Sequence, residues 1–497
     1  MPRILIRSAK NPWTPVQAEA VLSQSVHATN AGNLLFGQAV HRMLSTPHTE
    51  VVPNNYETGR KGYNRKYVDR INSEFDHFVI PLANAFRPGF KKNLERLTAV
   101  VRELTIPVTV IGVGSQHELG DEAGVGGAID EDTQNFVSAV LDRSASIGVR
   151  GTFTAEYLKK LGFGSEHVDV IGCPSVFFSG PSPAVENTKT RLTRDSKIAM
   201  SVSPYVEKMQ PIVEHHTMAY PHLMYIPQNA ADLQMLLWGE SHKSIPDLRR
   251  PIHTEHPLYL EDRMRYPLDP RTWIEYLQDF EFAFGTRIHG TIAAILAGVP
   301  TMLLAHDSRT LELAEYHKIP HIPIDQISEK MDAKELIDSV DYTEFNANLP
   351  ETFDRLTRFF ERNNLDHIYQ PGNESDAFDR QLAGAQLPPM VGTLNAEGKE
   401  GHEQLVSRVR WLRQNTRADR RRTAFNMKLD FPYPTAAPKS YDAAITSLEK
   451  NLSALRKEIA GIQDTLAAQE KINGAPKNAR RSPVRRVFHK IKRSLKR

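Results

Sequence analysis

Cysteine is almost missing: the chain has one, Cys173, in 497 residues. A single thiol excludes an internal disulfide and any multi-cysteine metal site. Long apolar runs are missing too. No stretch approaches the ~18 consecutive apolar residues that a membrane-spanning helix needs, and the opening MPRILIRSAK contains no apolar leader-like core. No histidine or carboxylate cluster has the spacing of metal ligands, so no metal site is expected. Acid is absent from one end: residues 477–497 hold ten Lys and Arg and no Asp or Glu, which leaves about −7 for the remainder of a chain of net charge +3. A full dinucleotide fingerprint is absent as well. The turn GVGS (112–115) lacks its spacing and its following acid, which argues against a nicotinamide cofactor. These absences leave a cytoplasmic α/β body with a basic tail as the expectation.

What is present centres on FGTRIHGTIAAILAGVP, residues 284–300. The preceding EFAF reads as a buried strand and TIAAILAG as a buried helix, which puts Arg287 and His289 at a strand-to-helix junction. The first amides of a helix lack intrahelical partners and carry partial positive charge. An arginine and a histidine added there make a receptor for a compact anion, phosphate above all. The plainer alternative pairs Arg287 with a nearby acid and leaves His289 as a turn histidine.

Strand-like and helix-like segments alternate over residues 1 to about 370, which argues for parallel sheets. A break near SGPSPAVENTKTRLTRDS divides them into two series, read as Rossmann-like domains at 1–185 and 195–370. Ligands in such sheets sit beyond the carboxyl ends of strands. The turn NAGN (30–33) either contacts a phosphate or sugar or simply caps a helix, and TNAGNLLFGQAVHRML reads as a turn into an amphipathic helix. Arg150 stands at another junction, with Thr152 as an N-cap candidate, although a lone arginine is more often structural. HDSRT (306–310) clusters polar groups after a buried strand and favours ligand contact. Cys173, between glycine and proline, reads better as a small buried residue than as a nucleophile. The histidine-rich insertion 204–259 either serves a second substrate or carries surface histidines.

FGTRIHGTIAAILAGVPTMLLAHDSRTLELAEYHKIP resembles the C-terminal signature of the polysaccharide pyruvyl transferases. TNAGNLLFG, VIPLANAF, PVTVIGVGSQ, VRGTFTAEYLKKLG and VIGCPSVFF fit the same family in order, over roughly residues 1–365. The resemblance implies a GT-B-like fold, with two Rossmann-type domains facing a cleft. It also implies transfer of the enolpyruvyl unit of phosphoenolpyruvate onto a surface-glycan sugar as a cyclic ketal, with release of phosphate. Phosphoenolpyruvate is then a co-substrate and no cofactor or metal is required. By the same resemblance, Arg287 and His289 match the family's phosphoenolpyruvate-binding Arg-x-His, and Arg150 its partner from the opposing domain. His289, Arg287 and Asp307 are the catalytic candidates. Asn30, Gly32, Asn33, Asn84, Ser308 and Arg309 are the acceptor-side candidates. Many members carry an acid where this chain has Asn33, so the acceptor contacts are expected to differ.

The remainder divides into a basic linker or helical segment (371–439), a heptad stretch (440–473) and the tail (477–497). Ile445, Leu448, Leu452, Leu455, Ile459, Ile462 and Leu466 alternate spacings of three and four. That pattern suits a coiled-coil homodimer or a helix folded back on the body. In the tail, Val484, Val487, Phe488, Ile491 and Leu495 share one helical face among Lys and Arg. Such a helix suits an anionic membrane surface and, with it, a lipid-linked acceptor on the inner face of the plasma membrane. Nucleic acid is disfavoured, because no aromatic stacking platform accompanies the charge. A nucleotide-sugar glycosyltransferase of GT-B form and a non-catalytic glycan-binding scaffold are the alternative functions.

Overall fold

The computed structural model describes residues 1–116, 127–183, 185–187, 191–242, 249–415 and 427–434, together with Ser453 and Ala460. Segments with consecutive apolar residues, as distinct from apolar residues at every second position, become strands buried on both faces. Four of them, β1 (Arg3–Ile6), β2 (Glu50–Pro53), β3 (His77–Pro81) and β4 (Val108–Ile111), form a parallel sheet in the order β2-β1-β3-β4. β5 (Ile147–Val149) pairs parallel with β6 (Val168–Val170). A bridge from Val113 to Val149, with the Val113 N–H donating to Gly148 O at 3.1 Å, joins that pair to the far side of β4. The second sheet contains β7 (Ile198–Ser201), β8 (Met224–Tyr225), β9 (Phe282–Gly285), β10 (Thr301–Ala305) and β11 (His321–Pro323), in the order β11-β10-β9-β7-β8 and again parallel throughout.

Each order reverses once. β1 is followed by β2 on one side and β3 on the other, and β7 by β8 and then β9. Loops leaving the carboxyl ends at such a reversal splay apart and open a crevice. The first crevice therefore lies beyond β1 and β3, and the second beyond β7 and β9. The two lobes join at their edges through a short antiparallel bridge, Asn30 with Asn229, in which Ala31 N–H donates to Gln228 O at 2.9 Å. This is the GT-B-like arrangement of two Rossmann-type lobes about a cleft.

Two helices cross between lobes. Gly32–Leu44, expected to be amphipathic, buries eleven of its thirteen residues. Its Leu35, Phe36 and Val40 share a core with Ile288, Ile292 and Ala293 of the second lobe, so it has no solvent face to keep polar. Thr343–Arg362 follows the second sheet in sequence yet reaches the first lobe. There Phe359 packs over Gly148, Arg362 pairs with Asp169 at 3.0 Å, and the Asn363 side chain just beyond the helix donates to Ser146 Oγ at 3.1 Å.

Of the stretch 371–439, expected as a basic linker or helical segment, the described residues 371–415 and 427–433 are built into the body, and Met1–Tyr433 forms one compact unit. Val391 pairs with Tyr266, helix Gly398–Asn415 follows, and Phe431 packs 5.0 Å from both Tyr67 and Phe75. Apolar and aromatic anchors outweigh the basic composition there. The heptad stretch 440–473, apart from Ser453 and Ala460, and the tail 477–497 lie outside the described residues. Among the described residues no helix is long and apolar enough to cross a membrane.

Candidate functional site

The second lobe supplies the Arg-x-His. β9 ends at Gly285, whose φ of +149° and whose contact with β7 both demand glycine: a Cβ there meets Ser201 O at 2.1 Å. The chain then turns over that same carbonyl, which accepts from Thr286 N–H at 2.9 Å and Arg287 N–H at 3.2 Å. Thr286 Oγ1 accepts from Ser203 N–H at 2.8 Å and ties the turn to the strand beside it. Arg287 is the N-cap of helix Ile288–Leu296, and seven of the nine helical residues are buried. One guanidinium nitrogen of Arg287 donates to Asn229 Oδ1 at 2.7 Å, while its buried Nε has no partner among the described residues. His289 stands two residues further on, and among the described residues its ring is within hydrogen-bonding range of nothing except a distant Cys173 Sγ at 3.9 Å.

The first lobe faces it with Arg150, 4% exposed, immediately after β5. Gly151, not Thr152, is the cap of helix Thr152–Lys160, and it makes no side-chain bond. The cap bond comes from the other lobe: Glu312 accepts from Thr154 N–H at 2.7 Å and from Thr154 Oγ1 at 3.1 Å. Gly32 has a specific reason to be glycine, since a Cβ there meets the His289 ring at 2.6 Å. Asn30 Oδ1 caps the Gly32 N–H at 2.7 Å, Asn33 donates to His27 O at 3.2 Å, and Asn84 donates to Gln116 Oε1 at 2.7 Å.

These groups line one cleft of about 700 Å³. Arg150, Arg287, His289, Arg309, Asn30, Asn33 and Asn84 all border it, whereas Gly32, Asp307 and Ser308 do not. Asp307 is occupied behind the wall. One oxygen accepts from Thr310 N–H at 2.9 Å as the cap of helix Ser308–His317, and the other pairs with Arg309 at 2.9 Å. Burial opposes its ionisation, but Arg309, His306 and Thr310 outweigh burial and hold the carboxyl below its usual range. Its geometry is that of a strut for Arg309.

The cleft also brings in residues that the sequence did not single out: Arg7, Tyr56, Arg60, Arg87, Tyr205, Asn229 and, buried behind Arg150, Glu312. Arg7 alone carried a legible signal, as the first residue past the carboxyl end of a strand. Among the described residues six arginines border the cleft and no aspartate or glutamate does. The electrostatic result is consistent. Burial and then the charges of Arg150, Arg309 and Arg287 push the His289 pKa down to about 3, so its imidazole is neutral at physiological pH. Burial lowers Arg150 to about 10, leaving it a cation. Burial raises the Cys173 thiol, which sits in the same wall. Among the described residues no group of histidine, cysteine and carboxylates could hold a metal ion.

Two parallel Rossmann-type lobes with a basic cleft at both reversal points define a GT-B-like fold. A model of the polysaccharide pyruvyl transferase family matches residues 30–308, more than half the chain, and the chain belongs to that family. No curated protein matches it. Among solved structures, it is similar to Anabaena HepE in complex with UDP-glucose (12% identity, 77% of this chain and 98% of that one, TM-score 0.37). Similar too are UDP-GlcNAc 2-epimerase from Neisseria meningitidis bound to UDP-GlcNAc (9%, 77% and 99%, 0.36) and the MnaA–UDP structure from S. aureus (11%, 83% and 97%, 0.36).

Proposed function

We propose that the protein transfers the enolpyruvyl unit of phosphoenolpyruvate to two hydroxyls of a glycan-precursor sugar, forming a cyclic ketal and releasing phosphate. The observation that supports this most is a cleft bordered, among the described residues, by six arginines and no carboxylate, with the family's Arg-x-His in its wall. Phosphoenolpyruvate carries a phosphate and a carboxylate, both of which planar guanidinium forks bind with two parallel hydrogen bonds. Arg287 and Arg150 meet these anions from opposite lobes, and Arg309, braced by Asp307, is the third fork.

Chemically, the first sugar hydroxyl bonds to C2 and gives its proton to His289, which returns a proton to the methylene carbon. The C–O bond to phosphate then breaks. The second hydroxyl attacks the resulting oxocarbenium-like carbon, and its proton leaves with phosphate. A neutral imidazole is the form that can take a hydroxyl proton, and His289 is neutral before the donor binds. A bound phosphate dianion favours the protonated form, so the donor itself prepares His289 to return that proton. Asn30, Asn33 and Asn84 offer neutral donors and acceptors to sugar hydroxyls.

The test is the melting temperature of the full chain with and without phosphoenolpyruvate, alongside Arg287→Ala. A hundredfold excess over Kd stabilises the native state by ~2.7 kcal/mol. The shift is expected in the wild type and absent, or at least ten times weaker in affinity, in the variant. A shift produced by a nucleotide sugar and not by phosphoenolpyruvate would replace this reading with a glycosyltransferase.

A further inference from the structure

The cleft holds more cation than phosphoenolpyruvate needs. Arg150, Arg287 and Arg309 are the charges that act on His289, and three forks suffice for one phosphate and one carboxylate. Arg7 and Arg60 form a separate pair in the first lobe: burial lowers the Arg7 pKa to about 10, Tyr56 opposes that shift and the Arg60 charge adds to it. Arg7 directly follows β1, at the reversal point of the first sheet, and Arg60 lies on the short helix Glu57–Lys61.

Both pack on one ring. The Arg7 guanidinium carbon is 4.9 Å from the centre of Tyr56 and 5.9 Å from that of Phe90, and that of Arg60 is 5.5 Å from Tyr56. Tyr56 itself is held in an unusual conformation. It and Asn55 are both left-handed, with φ of +59° and +54°, and Asn54 Oδ1 accepts the Tyr56 N–H at 3.1 Å to fix the turn. Non-glycine residues rarely adopt φ > 0, and such outliers gather at ligand clamps.

A guanidinium lying on an aromatic face is oriented, with its N–H edge left to bond sideways. The protein fills part of that edge, less of it on Arg7 than on Arg60. Arg7 donates to Pro81 O at a long 3.3 Å, and its buried Nε has no partner among the described residues. Arg60 donates to the carbonyls of Gln24 and Ser25. Neither forms an ion pair with an acid among the described residues, although Glu57 is close enough to Arg60 for each to perturb the other.

We propose that Arg7 and Arg60 on Tyr56 form a second anion subsite, which takes a phosphate of the acceptor. The sugar is then presented as a phosphoester or diphosphate, with its hydroxyls directed toward His289. This rests on the reading of the His289 side as the phosphoenolpyruvate site, because the remaining ligand of the cleft is then the acceptor.

The experiment is calorimetric titration of the full chain with inorganic pyrophosphate, alone and with saturating phosphoenolpyruvate. It is run on the wild type, Arg287→Ala, the double variant Arg7→Gln/Arg60→Gln, and the milder Arg7→Lys. The expected result is that wild type binds pyrophosphate with phosphoenolpyruvate already bound. The double variant loses at least tenfold in pyrophosphate affinity and keeps its phosphoenolpyruvate affinity within about twofold. Displacement of pyrophosphate by phosphoenolpyruvate, or equal pyrophosphate affinity in wild type and double variant, overturns the subsite. If the double variant does not fold, simultaneous binding or competition in the wild type decides, and Arg7→Lys supplies the residue test. If phosphoenolpyruvate fails to bind at all, the donor assignment falls. The subsite then stands only if pyrophosphate binding survives Arg287→Ala and is lost with Arg7 and Arg60. Uridine diphosphate and farnesyl diphosphate, titrated in turn, distinguish a nucleotide-linked from a prenyl-linked source by which of them gains affinity over pyrophosphate.

Discussion

Arg287 donates one nitrogen to Asn229 and presents the rest of its fork at a helix N-terminus, so its substitution removes charge without unpacking a core. Charge-assisted hydrogen bonds contribute roughly 1.5–3 kcal/mol each, consistent with the tenfold or greater loss of donor affinity expected for Arg287→Ala. Gly32 is a sharper test of geometry. Its missing side chain is the space in which the His289 ring stands. Gly32→Ala forces that ring aside, because the alternative is movement of a helix buried on nearly every face. Overpacking of this kind costs about 1–3 kcal/mol. The expected outcome is a kcat lowered at least tenfold in a protein that still melts cooperatively, with KM for phosphoenolpyruvate changed less. An unchanged kcat would show that the position of His289 is immaterial to turnover.

At the scale of elements, the helix caps carry the coupling between lobes. Glu312, on helix Ser308–His317 of the second lobe, caps helix Thr152–Lys160 of the first, directly behind Arg150. Burial raises its pKa from an ordinary 4.5 to about 7, against the opposing pull of Arg150 and Thr154. The sign follows from proton binding. Between those two values the unfolded chain has released the proton and the native protein retains it, so stability falls as pH rises across that window and is level on either side. The fall amounts to roughly 3 kcal/mol. Denaturant unfolding of Glu312→Gln between pH 4.5 and 8 should show that slope flattened, and parallel curves for variant and wild type would assign the slope to another group.

Local elements were also the legible ones. Arg287 and His289 could be read in the sequence because a strand, a glycine turn and a small-residue helix announce their own junction within seventeen residues. Glu312 could not, since its partner is 158 positions away in the other lobe. Arg60 sits on a helix too short for any periodicity, and Tyr56 reveals its role only through its backbone conformation. The near-complete burial of Gly32–Leu44 was hidden by His41 and Gln38, polar residues that look solvent-facing until the second lobe covers them.

For the whole molecule, the body ends at Tyr433, and that limit is testable. Phe431 and Tyr433 pack on Tyr67, with Arg70 over Phe431 at 4.3 Å. A chain truncated after Pro434 should melt with the full-length protein and still shift with phosphoenolpyruvate. One truncated after Arg422 loses that aromatic cluster and should melt roughly 5 °C lower or more. Equal melting of the two would mean that the 427–433 stretch contributes nothing to the body.

The chain's only thiol, Cys173, stands in the wall of the cleft, 3.9 Å from His289 and buried. Any thiol-directed label taken up by the native protein therefore counts empty clefts, one per chain, without engineering. Its raised pKa makes that labelling slow and steeply faster with alkali. A ligand seated between Arg150 and His289 should abolish it in proportion to occupancy. The scarcity of cysteine thus gives the protein a stoichiometric gauge of its own filling.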